Sequence, residues 1–363
     1  MTVHRTPAAC SARVRAVRAA LPARALPARA LPALAAVGLL LGCAAPGTAD
    51  AAAGGRHPDP APERTAARLV QVTSVHEATG MTLLEGPTFG PDGSLFVADV
   101  TAPAGEPKVL RINVDTRDVD PVYTNETSAY TSAQFSPHDG RLYLTDFVSG
   151  GIDSITADGD DRRAFFAGDV EGEPMRPDDV AFDESGNLFV TDTTGYADPS
   201  WEPQGRVVRI DKETAEATVL ARDLPAPNGI SFTPDYDGLW VSQHTENRLD
   251  YFRLDAGLTE VTTAHPAVQV DGGHTQIDSN AADAAGNVYQ GVHGQAKIFV
   301  YSPTGELLTT VSLPPRAKGL TSATNIAIRP GTTEAYMTVS GTAGGFVYEF
   351  EALADGIRQS NGG

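Results

Sequence analysis

The stretch Pro87-Thr-Phe-Gly-Pro-Asp-Gly-Ser-Leu-Phe-Val-Ala-Asp99 decides the fold, because it recurs along the chain. Its copies are Ala133-Gln-Phe-Ser-Pro-His-Asp-Gly-Arg-Leu-Tyr-Leu-Thr-Asp146, Val180-Ala-Phe-Asp-Glu-Ser-Gly-Asn-Leu-Phe-Val-Thr-Asp192 and Ile230-Ser-Phe-Thr-Pro-Asp-Tyr-Asp-Gly-Leu-Trp-Val-Ser242. Ala281-Ala-Asp-Ala-Ala-Gly-Asn-Val-Tyr-Gln290, and Ile326-Ala-Ile-Arg-Pro-Gly331 with Tyr336-Met-Thr-Val339, complete the set. Each copy is an apolar strand, a Gly-containing turn and a second apolar strand, which is the signature of a β-hairpin. The turn glycines Gly93, Gly140, Gly186, Gly238, Gly286 and Gly331 lie 47, 46, 52, 48 and 45 residues apart. Further strands follow most turns, such as Val109-Leu-Arg-Ile-Asn113 and Val207-Val-Arg-Ile-Asp211. Four short strands per repeat of about 40–50 residues is the pattern of a β-propeller blade. The reading is an all-β, six-bladed β-propeller with four-stranded blades around a central, metal-containing channel, over residues 66–355. A strand near Leu69–Val72 is expected to close the ring on Phe346–Phe350, since an open sheet edge invites unwanted pairing.

Outside the repeats the chain changes character. It carries 27 Lys and Arg against 46 Asp and Glu, a net charge of −19. Six of the arginines and a single acid, Asp50, fall in the first fifty residues. The remainder therefore carries about −24, which disfavours nucleic acid and anionic lipid and attracts cations. Cys10 and Cys43 are the two cysteines. The repeats can thus hold neither a disulfide nor a thiol nucleophile. Residues 1–43 read as an export signal, with Leu31–Gly42 as an apolar run too short to span a bilayer. Cys43 after Gly42 is placed for lipidation of a cell-envelope lipoprotein. The alternative is cleavage near Ala49-Asp50-Ala51 and free secretion. Residues 44–65 read as a flexible tether and 356–363 as a disordered tail.

Sites in propellers lie where the innermost strands begin. Four polar residues stand there in different repeats: Glu85 in Leu84-Glu-Gly-Pro87, Asp178 in Arg176-Pro-Asp-Asp-Val180, Asn228 in Ala226-Pro-Asn-Gly-Ile230, and Asp278 in Gly273-His-Thr-Gln-Ile-Asp-Ser279. Equivalent positions converge on the axis, so the four can face one another. Three carboxylates and an amide oxygen form a hard donor set suited to Ca²⁺, ahead of Mg²⁺ or Mn²⁺, and would repel one another without a cation. The alternative is a set of solvated turn residues. Asp99, Asp146 and Asp192 end strands at matching positions and read as turn acceptors. His244 can face the channel or simply pack, and packing is the preferred reading; His138 reads as exposed. No nucleophile elbow, phosphate-binding loop or zinc-protease motif is present.

At these residues the chain resembles the senescence marker protein/gluconolactonase/luciferin-regenerating enzyme family of six-bladed propellers, over nearly all of 66–355. The shared pattern is Glu-Gly-Pro in the first repeat, Arg-Pro-Asp-Asp-Val before the third, Pro-Asn-Gly-Ile before the fourth and an Asp before the fifth. Asp at 178, the run Trp240-Val-Ser-Gln-His-Thr-Glu-Asn-Arg-Leu249, and Gly273-His274 with Asp278-Ser279 resemble its calcium-dependent, drug-responsive lactonase branch in staphylococci. The resemblance implies that Glu85, Asp178, Asn228 and Asp278 bind a catalytic Ca²⁺, with Ser279 near it, and that Asp278 transfers the proton.

The implied reaction is opening of a small-molecule lactone by metal-activated water. The ion polarises the ring carbonyl, and a carboxylate, Asp278 or else Asp178, moves the proton. A carboxylate bound to a cation is a poor base, whereas like-charged neighbours raise its proton affinity. His274 is a candidate substrate contact or a plain loop histidine. Tyr196–Gln204 and Arg316–Ser322 are candidate lids. Organophosphate hydrolysis at the same calcium site, or a non-catalytic envelope propeller acting as a binding platform, are the alternatives. A closed ring needs no partner, so a monomer is expected.

Overall fold

The repeats fold into antiparallel sheets in the computed structural model, which describes residues 60–359. The expected export signal, Cys43 and most of the tether lie outside the described residues. The first four repeats are separate four-stranded sheets. They begin with the inner strands Leu84–Phe89, Tyr130–Phe135, Pro177–Phe182 and Pro227–Phe232. In each, the strands follow one another in chain order across the sheet.

The last two repeats depart from the expected pattern, because they share one nine-stranded sheet. The inner strand Gln276–Ala282 pairs with Val288–His293, and the inner strand Leu320–Ile328 pairs with Glu334–Gly341. A single residue pair, Val292 with Ala323, joins the two runs. Gly291 permits this approach: a Cβ there would collide with the backbone oxygens of Ala323 and Thr324. The strand Ala67–Thr73 pairs with Gly344–Glu351, as the ring-closure argument requires. All six inner strands touch in a closed cycle, each against the next and the sixth against the first.

A separate apolar cluster glues each pair of successive repeats. Phe96 meets Phe135 edge-on at 5.1 Å, Tyr143 meets Phe182 at 5.3 Å, and Phe189 meets Phe232 at 4.8 Å. Leu69, Phe89, Ala327 and Tyr336 form the cluster that joins the sixth repeat to the first. The alternation in Leu-Phe-Val and Leu-Tyr-Leu thus serves two neighbours, one on each face of the sheet.

Three boundaries shift from the sequence reading. The end of the expected tether, Glu63–Thr65, lies parallel against Leu307–Ser312. Gly238 is no turn glycine but begins a strand, where any Cβ would strike Tyr251. Tyr236 takes the left-handed turn conformation instead, at φ 58°. The C-terminal tail is docked at least to Gln359, not frayed. Gly356 bridges to Asp283 and Pro330, and Gln359 is buried, with its amide donating to Thr233 and Pro234 carbonyls.

That tail ties the fourth, fifth and sixth repeats together. Deleting residues 355–363 removes backbone bonds to Ala282, Ala284 and Gly331 as well as the Gln359 amide. At about 0.5–1.5 kcal/mol per bond the loss is about 3 kcal/mol. Calorimetry of the truncated protein is expected to show a melting temperature lower by about 5 °C; an unchanged value would rule out a stabilising tail.

Candidate active site

Each inner strand carries a register irregularity near its start. It falls between Glu85 and Thr88, Tyr130 and Ser132, Pro177 and Val180, Pro227 and Ile230, Ile277 and Asn280, and Ala323 and Ile326. Such bulges re-aim side chains that strict alternation would send into the flanking cores. Glu85, Thr131, Asp178, Asn228, Asp278 and Thr324 occupy the same position in the six strands, four residues before the apolar residue that ends the pairing. Two glycines let the strands crowd together there. A Cβ on Gly86, at φ +53°, would overlap Ala133, and one on Gly229 would lie 2.5 Å from the Asn280 nitrogen.

The backbone at or beside these positions is held by threonines of the preceding repeat and, at Asp278, by a glutamine of its own repeat. Thr131 and Thr145 donate to the Asp178 carbonyl at 3.0 and 2.7 Å. Thr191 donates to the Asn228 carbonyl, Gln290 to the Asp278 carbonyl at 2.8 Å, and Thr324 to the Leu84 carbonyl at 2.6 Å. The donors therefore fix the strand starts without using up the acidic side chains.

Glu85, Asp178, Asn228 and Asp278 are thereby brought together at a cavity of about 620 Å³. Glu85, Asn228 and Asp278 are 6 %, 7 % and 5 % exposed and Asp178 is half-buried, so water screens the Glu85 and Asp278 carboxylates poorly. Burial first, then the charges of Asp278, Asp178 and Asp179, push Glu85 well above the usual carboxyl range. Burial, with Asp278 and Asp179, does the same to Asp178. Burial and Asp179 push Asp278 up to about 7. Among the described residues no lysine or arginine pairs with these acids; the basic neighbour is His293, whose Nδ1 lies 3.7 Å from Asp278 Oδ2.

The donor set fits a divalent cation. Glu85 Oε2 and Asn228 Oδ1 are buried acceptors without a hydrogen-bond partner, while Asn228 Nδ2 donates to Asp178 Oδ2 at 3.2 Å. Such orphaned oxygens are costly unless something positive completes them. Among the described residues no three His, Cys, Asp or Glu side chains are already drawn up to metal-holding distance.

Other predicted residues fall elsewhere. The Ser279 hydroxyl bonds Asp179, beneath the floor, instead of lining the cavity. His274 is exposed in the preceding loop and lies off the cavity wall. His244, read as packed, lines the cavity. Asp99, Asp146 and Asp192 do accept from turn backbones, at Thr101, Val148 and Thr194.

Sequence reasoning missed Asp179, which accepts from Ser132 at 2.5 Å and is pushed up to about 6 by burial. It also missed most of the wall. Val100, Phe147, Thr193, His244 and His293 each follow the residue paired with the neighbour of Glu85, Thr131, Asp178, Asn228 or Asp278, and all five line the cavity. For Val100, Phe147 and Thr193 the preceding strand-ending Asp was the available signal; His244 and His293 follow Gln243 and Val292. Of the expected lids, Tyr196 stands on the rim edge-on to Phe147, and Ser322 bonds His293 Nδ1 at 2.9 Å.

With this geometry in place, the comparisons with known proteins are specific. Residues 85–341 match the SMP-30/gluconolactonase/LRE-like region. The chain is 28% identical over 295 residues to the lactonase drp35 of Staphylococcus haemolyticus, covering 75% of this chain and 84% of that one. In fold it is similar to a gluconolactonase from Xanthomonas campestris, with TM-score 0.62 and 20% identity over 80% of this chain and 98% of the other. It is likewise similar to regucalcin, a calcium-binding protein from Agrobacterium tumefaciens, with TM-score 0.61 and 18% identity over 80% and 98%.

Raised carboxyls make stability depend on pH in a definite direction. The folded chain keeps protons that the unfolded chain has lost above its ordinary carboxyl pKa, so stability is full below that value. It is lost as pH rises through the folded values of about 6 for Asp179 and 7 for Asp278. In chelator, the melting temperature is expected to fall between pH 5 and pH 8, and the slope to flatten with saturating Ca²⁺ or in Asp278→Asn. A rising or cation-insensitive profile would contradict the cluster. In a second test, Gly229→Ala is expected to lower both the melting temperature and calcium affinity in titration calorimetry, because it forces the Asn228 and Asp278 strands apart.

Proposed function

The chain belongs to the SMP-30/gluconolactonase/LRE-like family, and from that premise we propose that it is a calcium-dependent lactonase built on a six-bladed β-propeller. The blades would be the four separate sheets and the two runs of the shared sheet. The observation that carries the reading is the buried acidic set at the cavity floor, with orphaned Glu85 and Asn228 oxygens and, among the described residues, no Lys or Arg to neutralise it. Its neighbours in sequence are named lactonases, and a neighbour in fold is named a calcium-binding protein.

Glu85, Asp178, Asn228 and Asp278 would hold the ion through oxygen atoms, which suits Ca²⁺. When bound there, the cation supplies Lewis-acid polarisation of the lactone carbonyl. The chain does the rest. Val100, Phe147 and Tyr196 give the substrate's hydrocarbon an apolar wall and exclude water from it. Thr193, His244 and His293 line the opposite, polar side and orient the ring oxygen and the attacking water. The threonines behind the floor keep the ligands in place when substrate enters.

The same reading places the protein outside the cytoplasm, through the segment ending at Cys43, as a lipid-anchored or freely secreted monomer acting on small molecules.

The test is titration of released acid on aromatic and sugar lactones. Turnover is expected with Ca²⁺ and not with chelator. Asp278→Asn and Glu85→Gln are expected to cost about 100-fold or more in kcat/KM, and His274→Ala less than about twofold. Calcium that raises the melting temperature without any turnover would overturn the enzyme reading and leave a binding platform.

A further inference from the structure

His244 is the most tightly specified histidine of the cavity. It opens the short 3-10 turn His244–Glu246, and its backbone nitrogen donates to the Ala226 carbonyl at 3.0 Å, two residues before Asn228. Thr245 donates to the Pro225 carbonyl at 3.0 Å. Asn247 closes the turn at φ 49°, donating to Thr275 O at 2.7 Å and accepting from the Ile277 nitrogen at 2.9 Å. The turn is thus pinned to the two strand starts that present Asn228 and Asp278.

The ring itself is fixed as well. Its Nδ1 lies 2.7 Å from the Ile277 carbonyl oxygen. A carbonyl can only accept, so Nδ1 carries the hydrogen and the neutral ring keeps its lone pair at Nε2. Burial, and secondarily the nearby His293, favour that neutral form against the Ile277 bond. The side chain of Gln276 is its other polar neighbour; that amide can donate to a free Nε2 and, turned over, accept from a protonated one. His293 lacks such a constraint. Its ring centre is 6.4 Å away, and its Nδ1 faces the Ser322 hydroxyl, which can donate or accept.

We propose that His244 Nε2, not Asp278, takes the proton from the attacking water. The proposal rests on the lactonase reading above. A carboxylate spent on a cation holds protons weakly, so a separate base beside it removes the conflict between binding the ion and moving the proton. One water O–H bond breaks, its proton goes to Nε2, and its oxygen bonds to the ring carbonyl carbon. The ring C–O bond then breaks, and the leaving alkoxide takes the proton back from Nε2–H. Lactone and water become one hydroxy acid, and His244 returns to its starting tautomer.

The experiment compares His244→Ala, His244→Gln and Asp278→Asn with the parent protein at saturating Ca²⁺. Both His244 variants are expected to lose about 100-fold or more in kcat with KM changed less than about threefold, and to keep the calcium-induced rise in melting temperature. Imidazole is expected to restore His244→Ala at least about tenfold and not to restore Asp278→Asn. Ring ¹⁵N shifts are expected to show the Nδ1–H tautomer. A His244→Ala variant with near-parental kcat, loss of the calcium response together with activity, failure of rescue, or the opposite tautomer each overturns the proposal while leaving a lactonase standing. A parent protein inactive on every lactone overturns the underlying reading and this inference with it.

Discussion

Burying several like charges, with no lysine or arginine among the described residues to pair with them, is the constraint around which this molecule is organised. Glu85, Asp178, Asp179 and Asp278 come from three repeats that are far apart in sequence, and Asp178, Asp179 and Asp278 each raise the proton affinity of others. Left alone, such a set would push the strands apart. The protein resists by placing the repulsion where the backbone is best tied. Threonine hydroxyls and the Gln290 amide hold the carbonyls of those same strands, and aromatic pairs clamp the sheets behind them. The acids are therefore kept close largely by bonds to the backbone of their strands; Asp178 Oδ2 and Asp179 also accept side-chain bonds, while Glu85 Oε2 stays unpaired.

The irregular register of the inner strands turns this frame into a site. An ordinary strand sends successive side chains to opposite faces, and here both faces are apolar cores. A bulge breaks that alternation for one step, so one polar side chain per repeat reaches the axis. The wall follows from the same geometry, since the residue after the paired strand end tops each sheet. Val100 and Phe147 make one side apolar, whereas His244 and His293 make the other polar. A substrate with a hydrocarbon part and a carbonyl part thus meets a pocket already divided in two.

Much of this was legible in the chain, for definite reasons. The repeat could be read because hairpin glycines and alternating apolar residues are local signals. Glu85, Asp178, Asn228 and Asp278 could be found because their offset from the apolar strand residue is constant. Side-chain direction at the bulge could not be read, because the period of two fails there. Hence Ser279 was expected near the ion while its hydroxyl bonds Asp179, which was passed over. His244 was taken for a packing residue because an isolated histidine gives no hint of a carbonyl 2.7 Å away from another repeat. Gly238 was taken for a turn because a strand glycine needed to make room for Tyr251 looks the same in sequence.

The pairing of Ala67–Thr73 with Gly344–Glu351 has a kinetic meaning beyond its role in covering an edge. It joins the beginning of the repeats to their end, so the contact that closes the ring has nearly the largest sequence separation the chain allows. Loop-closure entropy and long-range pairing both slow such a step. During synthesis the early repeats can form their own hairpins, yet the first repeat keeps an uncovered side until the last strands emerge. The chain therefore spends its whole period of synthesis as an open arc and becomes a finished, closed molecule only in its final step.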